Sequence, residues 1–274
     1  MEMFSYEFMR RALIAASMMA VIAPSLGVFL VLRRQSLLAD TLSHVSLAGI
    51  ALGFFININP TVTTLIVVIA SAFVLEYIKN LYKSYSEVST AILMSGGLAV
   101  ALVLMNLTKG KNSMNIQQYL FGSIVTINWQ QVKILAILLV IIVFLFFALR
   151  KPMYVLTFDE DTAHVDGLPV HLLSMMFNVI TGVAITVMIP IAGALLVSAI
   201  MILPATISMK IGKTFSTVIL SSIVVGFIGM TSGLVTSYQL DTPPGATITL
   251  VFIAMFILIN LLTNVRKKNR QISK

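Results

Sequence analysis

Cysteine is absent from this chain of 274 residues. That excludes a disulfide scaffold, a thiolate metal site and a cysteine nucleophile. Charge is scarce: Asp, Glu, Lys and Arg make up 10% of the residues, against about 25% in a soluble domain. Acidic residues are the rarer, ten against eighteen basic. With 58% hydrophobic residues and a mean hydropathy of +1.01, this excludes an ordinary cytosolic enzyme and a disordered chain. The net charge of +8 is not a nucleic-acid signal. The basic residues sit at the ends of apolar runs, where membrane topology places them. A phosphate-binding loop is lacking too. Gly212-Lys213-Thr214 has the end of one, but Ile207 stands where its first glycine belongs. If ATP drives this protein, another chain binds it.

What is present is a series of long charge-free stretches. No Asp, Glu, Lys or Arg occurs in 12–32, 41–75, 88–108, 134–149, 167–209, 214–240 or 242–265. A spanning helix needs about 20 apolar residues. The stretches 41–75 and 167–209 are therefore expected to fold back, the first at Asn57-Ile58-Asn59-Pro60 and the second at Ile189-Pro190-Ile191. The expected spans are 12–32, 37–56, 60–78, 88–107, 130–149, 170–188, 191–208, 215–236 and 246–264. Backbone groups in lipid must be satisfied within their own segment, and the runs lack the alternation of a barrel, so the spans are helices. The first is a full-length span with no small-residue cleavage site before Arg33-Arg34, which excludes a cleavable signal. The fold class is an all-α polytopic integral membrane protein of about nine transmembrane helices, with residues 1–274 as one transmembrane domain.

With the C-terminus in the cytoplasm, inner loops and the tail hold thirteen of the eighteen basic residues, as the positive-inside rule requires. Residues 1–11 would then lie outside and are expected to form an interfacial segment with Phe4, Phe8 and Met9 toward lipid. Residues 265–274 form a basic cytoplasmic tail. Gln117–Ile124 suits an interfacial or re-entrant segment.

Charges inside the spans carry the functional signal. Asp40 and His44 lie four residues apart, which puts them on one helical face about 40° apart. A carboxylate and an imidazole so placed can coordinate a transition metal or relay protons. They can equally form an interhelical hydrogen-bonded pair that packs a bundle, or Asp40 can pair with Arg33 or Arg34. Ser36, Ser43 and Ser46 add polar groups nearby. Asp241, in Leu240-Asp241-Thr242-Pro243-Pro244-Gly245, is placed to cap the last helix or to receive substrate at the outer face.

The one strongly acidic loop runs from Thr157 to Gly167. Asp159, Glu160 and Asp161 are consecutive and cannot share a face, so a metal site is disfavoured. Asp159–Val165 reads as a short helix with an acidic start, ended by Gly167. It suits docking of a cytoplasmic partner. His164 and His171 are expected to be solvated or packed.

Leu32-Arg33-Arg34-Gln35-Ser36-Leu37-Leu38-Ala39-Asp40-Thr41-Leu42-Ser43-His44 closely resembles the permease subunits of bacterial zinc/manganese-type ABC importers. Four more stretches agree in order: Gln118–Ser123, Ala163–Gly167, Ile202–Ala205 and Leu240–Gly245. The likeness covers about residues 8–265 and is nearer to the zinc-type members. It implies a homodimer in the bacterial plasma membrane, two cytoplasmic ATP-binding subunits and an extracytoplasmic metal-binding protein. No permanently bound cofactor is implied, only transported Zn2+ or Mn2+, and the chain itself is not an enzyme. Asp40 and His44 would line the metal pathway between the two copies. Asp159, Glu160, Ala163, Asp166 and Gly167 would belong to the coupling helix seated on the ATPase. Asp241 and Pro243 match an outer-face motif with no assigned role. His44 favours a borderline metal such as zinc over magnesium or calcium; manganese also accepts Asp plus His. The rival classes are a proton-coupled secondary transporter and a scaffold that moves nothing.

Overall fold

The computed structural model describes residues 6–81, 86–108, 122, 124 and 127–272, without the side chains of 80, 81, 86, 160, 161 and 264–272. Among the described residues there are ten α-helices and no strand. They are α1 (Glu7–Leu32), α2 (Leu37–Ile56), α3 (Pro60–Leu81), α4 (Ser86–Leu107), α5 (Trp129–Phe158), α6 (Glu160–Val165), α7 (Val170–Ala192), α8 (Ala194–Ile211), α9 (Phe215–Leu240) and α10 (Pro244–Ile272). All but α6 are long and apolar enough to cross a membrane, nine among the described residues. With each span reversing direction, the α1–α2, α3–α4, α5–α7 and α8–α9 connections share one face with the end of α10. We call this the C-terminal face.

Two of the spans form the interior. α1 packs against α5, α8 and α9, while α2 packs against α3, α4, α7 and α8. Small side chains let these backbones approach. A Cβ on Gly27 of α1 would stand 1.7 Å from the Met201 carbonyl of α8, so the crossing exists only with glycine there. One apolar cluster links the spans, with Met19, Leu30, Leu42, Val68, Met188 and Met201 fully buried in it. In contrast, α4, α5 and α10 are peripheral and largely exposed.

The nine expected spans all occur, with three corrections. The break between α7 and α8 falls at Gly193, whose φ of 80° ends α7; Pro190 lies inside α7. Proline costs only the bond to the preceding turn when neighbours pack tightly, whereas the chain reversal needs the positive φ that glycine tolerates. Residues 7–11 are the first turns of α1, not a separate interfacial segment, and Met9 is 1% exposed in the core, not toward lipid. Glu7 anchors this end: it pairs with Arg11 at 3.8 Å and accepts a hydrogen bond from the Trp129 indole at 3.1 Å. Met1–Ser5, Phe4 included, lie outside the described residues. Of Gln117–Ile124, Gly122 and Ile124 alone are described. Gly122 lies against Ala192 with φ 75°, and Ile124 is buried. The segment 265–272 continues α10 as helix.

Candidate functional site

The site begins with a tight corner. Leu32 ends α1, and Arg34 adopts a left-handed φ of 56°. The Arg34 and Gln35 amides donate to the Val31 and Leu30 carbonyls, which turns the chain into α2 within four residues. Asp40 and His44 follow in the first two turns of α2, both half-buried. The four-residue spacing is realised as helix, and both side chains project from one face of α2.

Asp40 forms no ion pair within 4 Å among the described residues. Neither Arg33 nor Arg34 pairs with it. The His44 Nδ1 atom is buried and has no hydrogen-bond partner among the described residues. The serines do not compete for a ligand. Ser43 and Ser46 donate to the Ala39 and Leu42 carbonyls one turn back, at 2.8 and 2.7 Å. The same face carries Leu37 and Phe55, which are 50% and 45% exposed. The chain thus presents an oxygen and a nitrogen ligand on a stripe it does not itself cover. Buried polar atoms are normally paired; this one is enclosed by the chain, so the ring edge that half-buried His44 offers to the stripe is the other one, Nε2. Two ligands are half of a tetrahedral set. No group of three His, Asp or Glu side chains able to hold a metal occurs among the described residues.

The acidic loop forms α6, one residue shorter than expected. Asp159 is its N-cap, accepting from the Thr162 amide at 3.0 Å. Glu160 opens the helix; its side chain, like that of Asp161, lies outside the described residues. Ala163 is fully buried, which fixes the inner side of the helix. Asp166 is the C-cap, and Gly167 leaves with φ 73° while its amide donates to His164. Val165 faces out, 87% exposed.

At the opposite face, Asp241 is not the cap of the last helix. It is the C-cap of α9, in left-handed conformation with φ 51°, and its side chain is exposed. α10 begins at Pro244, and the Pro243 carbonyl accepts from the Thr247 amide. The Thr242 and Thr247 hydroxyls close the turn at 2.7 Å. Reversing between two spans takes the three residues 241–243, which moves Asp241 one turn away from the start of α10.

Two features escaped the sequence reading. One is the exposure of Leu37 and Phe55 beside Asp40 and His44. The other is Glu76 of α3, whose side chain is 13% exposed and whose partners lie on α7. Its only signal in the sequence is a lone carboxylate at the end of an apolar run. His171 pairs with it at 3.6 Å and is 68% exposed at the side chain.

Residues 5–263 match the model of the ABC 3 transport family. The chain belongs to the ABC 3 transport family. Among curated members, it is 28% identical to the manganese import system permease protein ScaB of Streptococcus gordonii, over 92% of this chain and 90% of that protein. It is 23% identical to the high-affinity zinc uptake system membrane protein ZnuB of Haemophilus influenzae, over 92% of this chain and 97% of that one. Among solved structures, PsaBC from Streptococcus pneumoniae in complex with Fab superposes with a TM-score of 0.83 at 25% identity, covering 94% of this chain and 92% of that one. This ABC 3 family chain is a multi-pass membrane protein with a metal-type ABC permease fold. The family's named members are permease subunits, matching the likeness read from the motifs.

Proposed function

We propose that this chain is the membrane-spanning subunit of an ATP-driven importer of a divalent transition metal, and that the metal is zinc. The observation that carries the proposal is the placing of half-buried Asp40 and His44 four residues apart on a face of α2 left open beside exposed Leu37 and Phe55. Two copies facing each other across this stripe supply two carboxylates and two imidazoles. A site built from two halves suits transport. It holds an ion while the halves are together and lets it go when they part, unlike a closed structural cage. An O/N ligand set favours zinc over the hard cations. Manganese is the second reading, supported by the ScaB likeness.

In this reading the C-terminal face is cytoplasmic, in the plasma membrane of a bacterium, because the basic residues collect there. α6 is the coupling helix. It stands on that face, caps itself through Asp159 and presents Val165 to a separate ATP-binding subunit. An extracytoplasmic metal-binding protein loads the opposite face, where Asp241 and Pro243 lie exposed in the α9–α10 turn. Closure of the two ATP-binding subunits moves α6, and α7 passes the movement to α2.

The test is reconstitution of the chain with its ATPase and binding protein in proteoliposomes, with zinc and manganese offered in competition. The proposal expects ATP-dependent zinc entry that manganese inhibits weakly. Preferential manganese entry would overturn the choice of metal. Entry without ATPase, driven by a proton gradient, would overturn the importer reading.

A further inference from the structure

Glu76 is a carboxylate inside a spanning helix that the proposed metal path does not use. Three residues of α7 converge on it, at positions 171, 174 and 178, which form one stripe of that helix. The Asn178 amide donates to Glu76 Oε2 at 3.2 Å, and the Ser174 hydroxyl lies 3.5 Å from the same oxygen. His171 Nδ1 lies 3.6 Å from Oε1. Asn178 is 0% exposed and Ser174 is 6% exposed. Arg33, at the α1–α2 corner, donates to Ser174 Oγ at 3.0 Å and lies over the Phe177 ring, its Cζ 5.7 Å from the centroid. The cluster thus joins the α1–α2 corner, the end of α3 and the first turns of α7.

A second metal station is a poor reading of this cluster. The Arg33 guanidinium reaches it through one hydroxyl, so an entering divalent ion would meet a fixed positive charge. The cluster ties three elements together by polar contacts. Only the four residues 166–169 separate α6 from α7, so whatever displaces α6 displaces His171, Ser174 and Asn178 first. α3 packs on α2, and Arg33 stands at the corner that leads into Asp40. Apolar contacts between helices can slide. A buried carboxylate held by several donors has a discrete set of partners, and losing one of them is costly.

Resting on the importer reading, we infer that Glu76 is a positioning residue: it transmits the displacement of α6 through α7 to the α2–α3 hairpin that carries Asp40 and His44. It is not a metal ligand. A merely structural Glu76 would change the amount of active protein. A transmitting Glu76 sets how much metal moves for each ATP hydrolysed.

The experiment uses the reconstituted assembly and measures both zinc entry and ATP hydrolysis. Glu76→Gln keeps the shape and one acceptor oxygen, but removes the charge and turns the other oxygen into a donor. ATP hydrolysis should stay within about twofold of wild type while zinc moved per ATP falls about tenfold, within the roughly 5–150-fold range usual for coupling between sites. Ser174→Ala, which deletes only the bridging hydroxyl, should lower the same ratio about threefold. A ratio equal to wild type in Glu76→Gln overturns the inference, whether the two rates hold or fall together. If that variant does not fold, an unchanged ratio in Ser174→Ala overturns it. A wild-type assembly without ATP-dependent zinc entry removes the importer reading and this inference with it.

Discussion

Val165 offers the cleanest test of the proposed docking of α6 on an ATP-binding subunit. It is 87% exposed on α6, so replacing it disturbs nothing inside the chain; exposed substitutions usually stay within about 0.5 kcal/mol of wild-type stability. Burying a valine side chain is worth about 1.5–3 kcal/mol relative to leaving it in water. If docking of the ATPase covers what is now exposed, Val165 contributes about 1.3–2.6 kcal/mol per site. At about 1.4 kcal/mol per decade, that is roughly an 8- to 70-fold loss of affinity on removal. Val165→Asp loses this and also carries a carboxylate into the contact, so the figure is a lower bound. The assay is binding of the purified ATPase subunit to the chain in nanodiscs, with detergent-resistant folding checked in parallel. Val165→Leu serves as the control and should bind within about threefold of wild type. Binding of Val165→Asp within twofold of wild type would refute the idea that α6 docks through this side chain.

The other predictions address the cap and the open stripe. Asp159→Ala removes the N-cap of α6 and should destabilise that helix by about 1 kcal/mol, read as faster hydrogen exchange of the 160–166 amides with exchange in α7 unchanged. Because the chain has no cysteine, a single Leu37→Cys or Phe55→Cys supplies its one thiol. Oxidation should crosslink one of these variants to twice the 29.9 kDa chain mass, and crosslinking at neither would contradict a two-copy site on that face of α2.

How much of this was legible in the sequence depends on the range of the interaction involved. The spans were legible because the bilayer sets their length and charge punctuates them. The short helix α6 was legible because its cap and its stop, Asp159 and Gly167, lie within the segment itself. Asp40 and His44 were legible as a pair because helical spacing is local. The orphaned Nδ1 was not, since that depends on what other helices fail to supply. Glu76 was missed for the same reason: Ser174 and Asn178 lie 98 and 102 residues away, and no periodicity within α3 points to them. Asp241 was misplaced because a good N-cap residue also tolerates the left-handed conformation of a helix end. The choice rested on the length of the turn to Pro244. At Pro190 the strongest local breaker lost to Gly193, three residues on, because packing around α7 tolerates the proline.

The central claim is that Asp40 and His44 carry the metal, and uptake in cells lacking their own high-affinity zinc importer tests it most directly. The chain would be expressed with its ATPase and binding protein, with Asp40→Ala and His44→Ala run beside wild type at matched membrane abundance. The account predicts that each substitution lowers zinc uptake by about tenfold or more, since losing even a partner that only orients a metal ligand costs about 10–100-fold, while ATPase binding is unchanged. Wild-type uptake in both variants would contradict it and reduce the pair to packing.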